Sequence, residues 1–205
     1  MDMYQVGPSR GCGGTGIWDG HTLAVGRNYK TWKVLANGPI RAIFELTYDA
    51  WDAAGGKVSE TKRFTVDAGH YLDQIDSTFT VIEGTAKEVT VAIGLNKKPE
   101  DKGQDAKTDL TTVKADGSLA QWVIQKTNGM LGTAVIVPGP EFQGYAEDAS
   151  NQLVLAKVVS GQPLRYYVGA GWSKAGKFTS QQSWNDYVAA EAARVHSPVK
   201  VSIAQ

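Results

Sequence analysis

The sequence predicts an all-β fold, an antiparallel β-sandwich with one C-terminal helix. Three observations carry this. Most apolar segments alternate with a period of two. Turn residues recur at roughly 8–12-residue intervals. Only one stretch, near the end, shows three-to-four spacing. The 23 glycines and 7 prolines among 205 residues suit a turn-rich β protein.

In order, Ile40 to Tyr48 alternates, with Phe44, Leu46 and Tyr48 on one face. The turn Ala54-Gly55-Gly56-Lys57 follows, with glycines free to take positive φ. Val58 to Val66 then places Val58, Glu60, Lys62, Phe64 and Val66 on one face and Ser59, Thr61, Arg63 and Thr65 on the other. These two segments read as an antiparallel pair. Asp67-Ala68-Gly69-His70 is the next turn, and Leu72 to Ile82 and Val89 to Leu95 are the next strands. Asn96 to Ser118 reads as a polar excursion holding a short strand over Thr108 to Lys114. Asp116-Gly117 marks a hairpin, and Leu119 to Gln125 pairs with Met130 to Val137 across Thr127-Asn128-Gly129. Pro138-Gly139-Pro140 interrupts the sheet. Leu153 to Val159 and Leu164 to Ala170 are further strands. Ser183 to Val195 reads as a helix with Ser183 as N-cap, and Val199 to Ile203 as a last strand. Residues 1–16 read as a polar, glycine-rich lead-in.

No internal repeat or linker divides residues 1–205, so the expectation is a single sandwich domain. Met1 to Tyr4 has neither a basic n-region nor an apolar h-region. Together with the lead-in, this points to a chain that begins after a removed or missing N-terminal part.

Composition narrows the function. Lys+Arg and Asp+Glu are both 21 and the formal charge is zero, whereas a nucleic-acid binder driven by phosphate neutralisation needs a basic excess. No apolar run is long enough to span a bilayer. One cysteine cannot form an intrachain disulfide or a Cys-based zinc site.

Gly11-Cys12-Gly13-Gly14-Thr15-Gly16 spells G-x-G-x-x-G, but the strand before it and helix after it that phosphate binding requires are missing. It reads as a tight loop where backbone passes close to another segment. Arg10 either anchors that loop or faces an anionic ligand. Cys12 lacks the neighbours of a nucleophile and reads as a small buried filler. His21 and His70 sit in turns and His196 ends the helix, without metal-ligand spacing. Asp101, Asp105, Asp109 and Asp116 do not match an EF-hand loop. No metal or cofactor is expected.

Six tryptophans and eight tyrosines are the clearest hint of function. Aromatic faces stack on the C–H faces of pyranose rings, and their polar tips bond hydroxyls. At least three of the tryptophans are expected in the core. Trp172 is the favoured platform because Gly169-Ala170-Gly171 leaves space beside it, with Arg165, Tyr166 and Tyr167 on the adjoining strand; Trp184 is expected to staple the helix. Glu45, Glu60, Lys62 and Arg63 are charges inside strands. They read either as cross-strand ion pairs on a solvated face or as a carboxylate and cations facing a sugar acid. There a cation would neutralise a uronate carboxylate, and a tyrosine or histidine would move protons. Lys62 and Arg63, as neighbours on a regular strand, face opposite ways.

Several segments together resemble the bacterial family DUF4861. They are Gly7 to Trp18, Asn28 to Arg41, Ser59 to Arg63 and Arg165 to Trp172. The sequence departs from the expected pattern at Val123, where an acid is expected after Trp122. The resemblance implies a galactose-mutarotase-like β-supersandwich, a secreted or periplasmic setting in saccharide utilisation, and a chain that is the C-terminal part of a longer family protein. The function expected is action on, or binding of, a poly- or oligosaccharide, with uronate residues as one form, by lyase- or hydrolase-like chemistry. The alternative is a non-catalytic carbohydrate-binding or structural sandwich. The candidate catalytic residues are Glu60, Lys62, Arg63 and Tyr167, and the candidate binding residues are Arg10, Trp32, Arg165 and Trp172. The expected partner is carbohydrate, with neither nucleic acid nor membrane, and an exposed sheet edge is available to pair with a second copy.

Overall fold

The computed structural model describes residues 4–97, 109–125, 128–199 and 202. They form two antiparallel sheets and one helix. The strands are β1 (Cys12–Trp18), β2 (Leu23–Ala24), β3 (Thr31–Asn37), β4 (Arg41–Ala53), β5 (Gly56–Asp67), β6 (Leu72–Glu83) and β7 (Glu88–Asn96), followed by β8 (Asp109–Ala115), β9 (Ser118–Gln125), β10 (Gly129–Ile136), β11 (Phe142–Glu147), β12 (Asn151–Val159) and β13 (Pro163–Trp172). Helix α1 is Gln181–His196. The small sheet runs β11-β12-β7-β1-β2 and the large one β3-β4-β5-β6-β13-β10-β9-β8. The architecture is thus all-β with one C-terminal helix.

The inner faces of the two sheets bury one core, including Val58, Ile75, Phe79, Ile93, Leu95 and Tyr166. A second apolar cluster lies on the outer face of the large sheet, beneath α1. There Trp184, fully buried, packs over the bare Gly132 of β10. The helix begins one turn earlier than its apolar spacing suggests. Ser180, not Ser183, is the N-cap, and Ser183 completes a capping box from the third helical position.

The glycine-rich segment is the main departure from the sequence reading. It is strand β1, hydrogen-bonded to β7 and β2 near the middle of the small sheet, rather than a loop or a lead-in. Alternation cannot reveal such a strand, because glycine carries no side chain to alternate. The glycines are required by close approach. A Cβ on Gly13 would lie 2.4 Å from Val168 Cγ2, and one on Gly14 2.4 Å from the carbonyl oxygen of Arg10. Strands β3 and β11 also went unforeseen; both are short, bulged and largely exposed or half-buried. Asp101, Asp105, residues 98–108 of the 96–118 excursion, Thr127 and the greater part of the Val199–Ile203 strand lie outside the described residues.

Candidate functional site

Strand β5 sets the site. Its alternation turns Val58, Glu60 and Lys62 inward, all buried, and leaves Arg63 outside. Antiparallel register then aligns inner-face residues in rows across the large sheet. One row runs Trp32 on β3, Leu46 on β4, Lys62 on β5 and Ser77 on β6. Exposure along it falls from 67% at Trp32 to 7% at Lys62 and 0% at Ser77. The cover over the inner face therefore ends between β5 and β3. In the next row Tyr48 lies opposite Glu60. A bulge between Tyr48 and Trp51 turns both aromatics inward, since Trp51 pairs with Val58 and one extra residue is accommodated on β4.

Glu60 is the hub. Its Oε1 accepts hydrogen bonds from Thr15 Oγ1 at 2.8 Å and Ser77 Oγ at 2.5 Å, and lies 3.6 Å from Lys62 Nζ. Lys62 Nζ also stands 5.6 Å from the centroid of the Tyr48 ring. Burial lowers the proton affinity of Lys62 below its ordinary range; Glu60 opposes this, and the positive charge of Arg10 adds to it. Burial, reinforced by Glu60, pushes the Tyr48 phenol up to about 12. Tyr166 donates to the Gly13 carbonyl at 3.2 Å, and its phenol is also raised by burial. Arg10 anchors its backbone N–H to Asn151 Oδ1 at 2.6 Å, while its Nε is buried without a hydrogen-bond partner. The indole Nε1 of Trp51 on the same face is likewise buried without a partner. The cluster thus offers a tightly held carboxylate, a buried amine and a protonated phenol.

The other sequence candidates lie elsewhere. Register places Lys33, Glu45, Arg63, Asp76 and Arg165 in one row across the outer face. Arg63 Nη2 lies 3.1 Å from Glu45 Oε2, and Arg165 Nε 2.7 Å from Asp76 Oδ1. This is the arrangement of cross-strand ion pairs on a solvated face, bordering a shallow groove of about 320 Å³. Tyr167 is on that face too, with Oη 3.5 Å from Gln74 Oε1. Lys62 and Arg63 do face opposite ways. The structure therefore brings Glu60 and Lys62 together, puts Trp32 on their face, and separates Arg63, Arg165 and Tyr167 from them, while the stem of Arg10 lies against Gly14 and Gly94 of the small sheet. The space beside Trp172 is filled: a Cβ on Gly169 would meet the Tyr71 carbonyl oxygen at 1.9 Å, and one on Gly171 the Phe178 ring at 2.4 Å. Trp172 itself donates Nε1–H to the Asn128 carbonyl at 2.9 Å. Of the six tryptophans, Trp122 and Trp184 are sealed in, and Trp51 packs against the core.

Thr15, Ser77 and Tyr48 were missed by sequence reasoning. Thr15 was hidden in the glycine-rich segment and Ser77 was an ordinary strand residue. Tyr48 had been assigned a face, but only the register across β4 and β5 ties that face to Glu60.

A two-sheet antiparallel sandwich with a polar cluster where its cover ends is the class of protein these features define. The chain belongs to the family described as "Domain of unknown function (DUF4861)", matched over residues 1–201. It is 26% identical over 208 residues to "Uncharacterized protein P7" of Formosa agariphila, a match covering 99% of this chain and 50% of that protein. The chain therefore spans about half the length of that curated relative. Among solved structures it resembles a chain titled "Putative kojibiose phosphorylase from human microbiome", with a TM-score of 0.54 and 13% identity over 75% of this chain and 21% of that one. At that identity the likeness speaks for the fold.

Proposed function

We propose that this protein engages a poly- or oligosaccharide on the inner face of its large sheet, at the boundary where the cover ends. The observation that carries this reading is the row from Trp32 to Lys62. An exposed indole and a buried charged cluster share one continuous face, about two strand spacings or roughly 10 Å apart. An indole supplies the flat apolar surface on which a pyranose stacks, and charged groups beside it bond hydroxyls. Likeness to a chain whose title names a carbohydrate phosphorylase supports the reading at the level of fold.

The chemistry such a face suits is of the lyase or hydrolase kind, with the Lys62 ammonium stabilising developing negative charge and the protonated Tyr48 phenol as proton donor. A non-catalytic binding module is the second reading. It is favoured by the Oε1 of Glu60, which already has Thr15, Ser77 and Lys62 around it and is little disposed to act as a free base.

Calorimetry with a panel of oligosaccharides tests engagement, and assays for unsaturated products and new reducing ends run alongside it. The Trp32→Ala variant should keep stability within about 0.5 kcal/mol, as exposed sites do. It should weaken binding by roughly three- to tenfold, the worth of one stacked ring. Undiminished binding in that variant removes the inner face from the reading. Binding with no product in either assay selects the module.

A further inference from the structure

A cavity lies at one end of the sandwich, where the β1–β2 turn, the β4–β5 hairpin and the β6–β7 connection come together. Its volume is about 760 Å³, inside the range of roughly 300–1,000 Å³ in which pockets enclose small ligands. Loops positioned by a rigid scaffold are where binding groups concentrate. Buried Ile17 and Val89, with Ala24 and Ala53, supply apolar lining from both sheets. Trp18 is the one aromatic side chain on the described lining. Two features hold the walls in place. Asp19, next to Trp18, accepts hydrogen bonds from the backbone N–H of His21 at 2.8 Å and of Thr22 at 2.7 Å, and from Thr22 Oγ1 at 2.5 Å. Gly56 closes the hairpin against the end of β6, where a Cβ would lie 1.8 Å from the Glu83 carbonyl oxygen.

The polar groups of the lining sort into committed and free. Asp19 is spent on its own turn, and Glu88 Oε2 lies 2.7 Å from Lys157 Nζ. The Trp18 indole N–H, the Asp52 carboxylate and the Thr90 hydroxyl have no hydrogen-bond partner among the described residues. A hard cation needs about six oxygen ligands, and the described residues hold no cluster of three ligating side chains. The charged residues of the described lining are all acids, which disfavours a carboxylate or sulfate beside them. What remains is an indole, an apolar floor, one free acceptor carboxylate and one hydroxyl, the groups that suit a neutral polyhydroxylated ring. We propose that the end cavity is a second saccharide site that takes a neutral sugar residue, its ring against Trp18 and its hydroxyls on Asp52 and Thr90. Its ligand class rests on the saccharide reading above, while its residues are separate from the row between Trp32 and Lys62.

The test follows the indole N–H resonances of the ¹⁵N-labelled protein, with Trp18 assigned by its loss in Trp18→Phe and Trp32 by its loss in Trp32→Ala. The titrants are neutral gluco-, manno-, galacto- and xylo-oligosaccharides, the corresponding uronate oligomers, and methylammonium chloride. At least one neutral oligosaccharide should move the Trp18 resonance, and with the same midpoint in Trp32→Ala as in the wild type. Asp52→Ala should raise that midpoint about tenfold, the scale of one charge-assisted hydrogen bond. Asp49→Ala, which removes an exposed carboxylate of β4 paired with Lys30, should leave it unchanged. A Trp18 resonance that no neutral sugar moves, or a midpoint untouched by Asp52→Ala, overturns the end cavity; if Trp32 still responds, the inner-face reading stands. A response at Trp18 with none at Trp32 keeps the cavity and overturns the inner face. Uronate oligomers acting at equal or lower concentration than their neutral counterparts overturn the neutral-sugar assignment, and so does methylammonium acting at lower concentration than any sugar.

Discussion

Lys62 Nζ lies 3.6 Å from Glu60 Oε1, with both side chains less than one-tenth exposed. The two residues are separated by one position on β5, so strand alternation alone puts them on one face. Their burial is a tertiary fact, since β1 and β6 supply the hydroxyls that hold Glu60. A buried pair of this kind is weak evidence for stability, because desolvation offsets much of the attraction. It is stronger evidence of a site that must keep its charge.

Breaking the pair should cost more than replacing it. Glu60→Gln and Lys62→Met are each expected to lower unfolding free energy by about 3–5 kcal/mol, whereas the double variant should be close to neutral. Urea denaturation reads all three. Single effects that add to within about 0.5 kcal/mol would show that the residues do not interact. The pair also has a pH signature. The unfolded chain holds the Lys62 proton up to about 10.5, while the folded chain releases it earlier because burial lowers its affinity. Over that alkaline interval the unfolded state binds more protons. Wild-type stability relative to Lys62→Met should therefore rise with pH.

Cys12 should be inert in the folded protein. Burial pushes its thiol from 9.0 up to about 12, and the thiolate is the reactive form. Cys12 is half-buried, and a disulfide reagent at pH 8 is expected to label it far more slowly than an exposed thiol. Linkage gives the companion effect. The stability that follows from keeping this proton is complete below pH 9 and is lost as pH climbs towards 12. Cys12→Ala should flatten that decline. Rapid stoichiometric labelling of the native protein would contradict the burial.

Helix docking depends on a missing side chain. A Cβ at position 132 would lie 2.5 Å from Trp184 Cδ2. Gly132→Ala should thus destabilise the protein by about 1–3 kcal/mol, the ordinary cost of overpacking. Hydrogen exchange along α1 should quicken. An unchanged melting temperature with unaltered protection of the helix would show that the indole has room to move.

The strands with large alternating side chains were legible: β4 to β7, β9, β10, β12 and β13 all fall where the apolar pattern puts them. Legibility failed where the signal is carried by something other than a side chain. β1 is a strand because backbone from both sides comes close enough to demand glycine. β3 exposes five of its seven residues in a row and shows no buried face. Within the site, the shared inward face of Glu60 and Lys62 and the opposed Arg63 could be read from parity alone.

What parity could not supply is the relation between strands. A hairpin continued regularly from Ala53 opposite Gly56 would place Tyr48 against Thr61, on the face away from Glu60. The bulge between Tyr48 and Trp51 shifts the register by one and returns Phe44, Leu46 and Tyr48 to the face of Lys62 and Glu60. The sequence by itself determined an all-β chain with a terminal helix, and which residues of each strand share a face, because alternation is a local property of an extended backbone. The tertiary structure decided which strands meet, where the cover ends and which charges are left without a partner. Those depend on bulges, close approaches and desolvation, which arise only between distant parts of the chain.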